Sequence, residues 1–95
     1  MSIVATNQAP ASRVRVVFRM WKGEVIALLP DCIANGAGDV DSYMHIGQHG
    51  AANYRGIIRR SRSATEAEYA SLQREMEGAP YHYLLSVVAG VWHKL

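Results

Sequence analysis

A chain of 95 residues has room for one domain and one modest core, with roughly 60–65% of the unfolded surface buried on folding. Its 49% apolar content excludes a disordered chain, and no apolar run approaches the ~20 residues that a membrane-spanning helix needs. A net charge of +2 excludes neither nucleic acid nor protein as a partner, so the layout of charge matters more than its sum.

That layout alternates by segment. Arg13, Arg15, Arg19 and Lys22 come first, then Glu24, Asp31, Asp39 and Asp41. Arg55, Arg59, Arg60 and Arg62 follow, and then Glu66, Glu68, Glu75 and Glu77 around Arg74. Neighbouring elements of opposite sign can neutralise one another across a fold. The bases are eight Arg to two Lys, and Arg offers a planar fork to carboxylates, phosphates and aromatic faces. Cys32 has no partner for an internal disulfide, and no Lys or Arg precedes Arg13 to start a signal peptide. A cytoplasmic protein is the expectation.

Residues 1–12 are expected as a loose arm, or a short edge strand over residues 3–5, ahead of a single domain over residues 13–95. RVRVVFRMW alternates as a strand does, with Val14, Val16, Phe18 and Met20 on one face and Arg13, Arg15, Val17, Arg19 and Trp21 on the other. Lys22-Gly23 supplies a tight hairpin turn into EVIALL, and Pro30 is expected to end that strand. Residues 30–41, rich in Gly, Asp and Asn, read as a long connection. SYMHI reads as a third strand, and residues 51–60 fit a short helix or a strand around Ile57 and Ile58. Thr65 and Glu68 form a capping box for a helix whose face is Tyr69, Leu72 and Met76, closed by Gly78 and Pro80. YHYLLSVVAGVW, apolar on both sides, reads as a last strand. The order β-β-β-α-β predicts an α+β fold, with an antiparallel sheet of three to four strands and one main helix on one face.

From Arg15 to Tyr83 the chain resembles a family of short proteins of bacterial genomes and their phages or mobile elements. The segments VIALLP, SYMHIGQHGAANY and ATEAEYASLQREMEG carry that resemblance. Where the family often has proline on either side of the Ala64-Thr65 pair, this chain has Ser63 and Glu66. The resemblance implies a mobile-element setting, in which small proteins often bind and block host machinery, and it assigns no catalytic residue.

Several side-chain sets are candidate sites. Asp41, His45 and His49 recur at i, i+4 and i+8, a spacing that suits zinc ligands on a helix. Gly47 opposes a helix there, and on a strand four residues span about 13 Å, too far for one metal ion. A turn at Gly47 would bring His45 to His49, with His82 as a third ligand. Polar residues that hold a loop are the simpler expectation, and no metal or cofactor is expected. Tyr43, His45, His49 and Tyr54 form a possible pocket, and these histidines would serve a small acid–base enzyme. GQHG is not a phosphate loop of recognised spacing, and Asp31 beside Cys32 disfavours a thiolate, so no enzyme is expected.

The stronger expectation is a non-enzymatic module that engages a larger protein. Arg13, Arg15, Arg19, Trp21, Arg59, Arg60 and Arg62 are its candidate contacts, since Arg and Trp are enriched at binding hot spots. An exposed strand edge would also allow a homodimer. The alternative is a nucleic-acid binder that uses the same Arg/Trp sheet face. A sheet with only one helix also leaves a second face that must be polar or covered by something else.

Overall fold

The computed structural model describes residues 13–89, so the expected N-terminal arm and Trp92 lie outside the described residues. Strands β1 (Val14–Trp21) and β2 (Glu24–Ile33) form the expected hairpin, with Trp21 opposite Glu24. Lys22 and Gly23 both take positive φ, 53° and 82°, the twist that a two-residue hairpin turn needs. β3 (Val40–Met44) and β4 (Gln48–Ala52) form a second hairpin. Helix α1 (Tyr54–Arg59), the short strand β5 (Arg62–Ser63), helix α2 (Glu66–Glu77) and strand β6 (Leu85–Val87) complete the chain.

The sheet runs in the order β4-β3-β2-β1-β5, and β6 shares the free edge of β1 with β5. Every pairing is antiparallel except β1 with β6. The α+β class is therefore as predicted, but among the described residues six strands stand where three or four were expected, and a second helix joins the first. Expected and observed orders diverge at residues 48–63, where Gly50 and the Ala pair hide a strand and Asn53 starts a helix. The Asn53 side chain accepts from the Gly56 N–H at 2.6 Å, which caps α1. Pro30 does not end β2. It lies within a register shift between Leu29 and Ile33, where a missing N–H is tolerated, and the connection to β3 shrinks to residues 34–39. Within the described part of the expected last strand, only Leu85–Val87 is strand.

Alternation along the strands divides the core in two. Val16, Phe18, Ala27, Leu29 and Tyr43 face α2, meeting Leu72 and Met76. Val17, Ile26, Leu28, Val40 and Ala52 face α1, meeting Tyr54 and Ile57. The face that sequence alone leaves bare is thus covered by α1, a helix of six residues. No described helix is long and apolar enough to cross a membrane.

Candidate functional site

The stretch SYMHIGQHGAANYRG becomes the end of β3, a turn, β4 and the start of α1. Its turn is unusual because Ile46 and Gly47 take positive φ, 64° and 71°. Glycine accepts that region freely, but a β-branched residue does not. Glu75, reaching across from α2, holds the conformation. Its carboxylate accepts from the Tyr43 hydroxyl and from the Ile46 N–H at 2.8 Å, and His45 Nδ1 lies 2.7 Å from it. The Tyr43 oxygen accepts in turn from the Gly47 N–H at 3.0 Å. His49 and Tyr81 pack edge-on against the Tyr43 ring.

The electrostatics follow from these bonds. Donors from Tyr43 and His45 stabilise ionised Glu75 and lower its pKa to about 2. Burial, then the bond to Glu75, pushes the Tyr43 phenol up, so it stays protonated and donating. A carboxylate so well supplied with donors is a poor base. The cluster is built to fix a turn, and its chemistry is that of a clamp.

The opposite sheet face carries a groove of about 680 Å³ between α1 and the β3–β4 hairpin. Trp21, Ile26, Met44 and Ile57 give it apolar walls, and β4 forms one side. Arg55, Arg59 and Arg60 also line it, and no Asp or Glu is among the described lining residues. The Lys22 ammonium sits 4.6 Å from the centre of the Trp21 ring, which adds positive charge at that end.

The structure separates the candidate residues into three groups. Trp21, Arg59 and Arg60 come together at the groove, whose lining also includes His49. Tyr43, His45 and His49 belong to the turn cluster, whereas Tyr54 lies under α1 on the other side of the sheet. The remaining arginines bond within the fold. Arg13 donates to the Leu85 carbonyl at 2.7 Å, Arg15 forms a fork with Asp31, and Arg62 forms one with Glu68. Arg19 is only 7% exposed and donates to Ser61 Oγ, Ser63 Oγ and the carbonyls of Ile58 and Ser61. Burial pushes the Cys32 thiol up, with Asp41 and Asp31 adding to the effect. Among the described residues no three His, Cys, Asp or Glu side chains gather where one metal ion would bind.

Glu75 was missed from sequence, although it follows Leu72 by three and therefore borders the buried face of α2. Ile26 and Met44 were missed at the groove because only the α1 crossing turns them from a sheet face into a wall. No family model, curated protein or solved structure matches the chain.

Proposed function

We propose that the chain is a non-enzymatic binding module that engages a larger protein through the groove between α1 and the β3–β4 hairpin. The observation that carries this is a groove with Trp21, Ile26, Met44 and Ile57 in its walls and arginines along its α1 side, beside the strand that ends the sheet among the described residues. Concave apolar walls with a few polar groups are the ordinary form of a recognition site. In the mobile-element setting that the sequence resemblance implies, its role is accessory or inhibitory action on a host protein.

The test is a tagged pull-down from nuclease-treated bacterial lysate, run beside the Trp21→Ala variant. A protein retained in near-equal amount by the native chain, and reduced at least tenfold by Trp21→Ala, is expected. Retention of no protein by the native chain rejects the reading. The second reading is single-stranded nucleic acid, favoured by Trp21 lying in one groove with Arg59 and Arg60. It predicts excess 260 nm absorbance through purification and binding that falls steeply with salt.

A further inference from the structure

We propose that the β1 end of the groove is a carboxylate-binding site: it takes an Asp or Glu side chain of the partner protein while a neighbouring apolar side chain of that partner packs beside Trp21. This rests on the protein-binding reading and specifies what that end of the groove recognises. Three observations converge on it.

The first is position. Trp21 closes β1, and the chain leaving α1 returns to the same strand, because Arg62 and Ser63 of β5 pair with Met20 and Arg19. Arg59 and Arg60 come just before that pairing, are exposed, and line the groove together with Trp21. The Lys22 ammonium sits over the Trp21 ring. Three cations therefore gather at one end of the groove. Glu24, opposite Trp21 in the hairpin, offsets one of them and does not line the groove.

The second is a buried charge without a counter-ion. Arg19 lies two residues before Trp21 on the same face of β1 and is only 7% exposed. Its guanidinium donates to two serine hydroxyls and to the carbonyls of Ile58 and Ser61, the residues that flank Arg59 and Arg60. All four acceptors are neutral, and no carboxylate among the described residues bonds to it. Burial pushes its pKa down, the direction expected of a cation short of solvation. A charge held away from water is ordinarily paired with its opposite. A carboxylate bound by Arg59 or Arg60 supplies that negative charge at the adjoining end of the groove.

The third is the wall beside these charges. Ile57 comes two residues before Arg59, and Ile26 pairs with Arg19 across the hairpin, so apolar wall and cations share the β1 end. Trp21 packs against the cluster that holds both isoleucines. An arginine fork matches a carboxylate with two hydrogen bonds, and Trp with Arg is a combination enriched at protein-binding hot spots. A nucleic-acid strand fits less well. Successive bases stack on successive rings, and Trp21 is the one Trp, Tyr or Phe among the described lining residues. The basic track is also short, since Arg13, Arg15 and Arg62 bond within the fold.

The experiment is selection of displayed random peptides on the immobilised full chain. The tightest synthetic peptide, and its analogue with the acid replaced by the matching amide, are then titrated against the native chain and the double variant Arg59→Gln/Arg60→Gln. Selected peptides should share an acidic residue next to an aromatic or aliphatic one. The amide analogue should bind the native chain about fivefold more weakly, and the double variant about as well as the parent peptide does. That coupling separates contact with the carboxylate from a general loss of folding. The Trp21 indole N–H resonance of the native chain should shift on binding, a readout that needs no variant. Arg74→Gln, on α2 behind the sheet, should bind as the native chain does. Selected peptides without an acid, an equal loss on both chains, an unmoved Trp21 indole, or tighter binding of single-stranded oligo-dT would overturn the proposal. A protein retained equally by the native chain and by the double variant in the pull-down would remove the carboxylate site and leave the protein-binding reading standing. Retention of no protein by the native chain would remove both.

Discussion

The guanidinium of Arg19 donates to two serine hydroxyls and two backbone carbonyls from the end of α1 through β5. Removing it takes the donor from four acceptors that are only partly buried, so Arg19→Ala should cost roughly 2 kcal/mol in a denaturant titration. Arg19→Lys should recover less than half, because an ammonium cannot reproduce the fork. A loss under about 0.5 kcal/mol for Arg19→Ala would mean that the bonds are idle. Glu75 makes a prediction in pH. Its folded-state pKa of about 2 lies below the ordinary 4.5. The ionised group therefore stabilises the fold above that ordinary value, and the contribution is lost as pH falls from 4.5 through about 2. Urea midpoints measured from pH 6 to pH 2 should fall less steeply for Glu75→Gln than for the native chain. Parallel acid limbs would show that the clamp contributes nothing. At Ile46 the sign is reversed, and Ile46→Asn should stabilise by about 1 kcal/mol, since Asn tolerates the left-handed region. A lowered Tm would remove the strain argument.

At the scale of elements, α2 carries its own start signal. Thr65 Oγ1 accepts from the Glu68 N–H at 3.3 Å and Glu68 Oε1 accepts from the Thr65 N–H at 2.8 Å. Arg62 grips the same Glu68 carboxylate and, with the Thr65 bonds, lowers its pKa to about 2. Thr65→Ala should cost about 1 kcal/mol, and Thr65→Ser should restore most of it in thermal melts. Equal melting of both variants and the native chain would show an idle cap. The capping box and the first hairpin were legible in sequence because both are local patterns. Helix α1 was legible only as one of two options for residues 51–60, because six residues cannot hold a helix in water without packing. Tyr54 and Ile57 supply that packing only when the sheet is already there. The turn cluster was half legible, since Tyr43, His45 and His49 stand out by type while Glu75 arrives from about 30 residues away.

For the whole molecule, the sheet separates two clusters that each need its alternating faces. Leu72 lies in one and Ile57 in the other. Leu72→Ala should cost about 3 kcal/mol and Ile57→Val about 1 kcal/mol. Sites with no shared partners should add to within about 0.5 kcal/mol, in one cooperative transition. Two separate transitions, or a strong deviation from additivity, would show that the faces fold as different units or as one continuous core. The same two-sided arrangement redistributes the charge. Arginines that alternate along β1 toward one face are drawn into bonds with Asp31, Ser61 and Ser63, and the positive surface shifts to α1.

By itself the sequence determined the α+β class, the β1–β2 hairpin, the two faces of β1 and the capped start of α2. These depend on neighbours within a few residues, where period and turn chemistry act directly. Only the tertiary structure decided that α1 covers the second face, that Arg19 is buried, and that Glu75 clamps the β3–β4 turn. Those depend on contacts between residues about 30 or more apart in the chain, whose geometry exists only once the strands are in register.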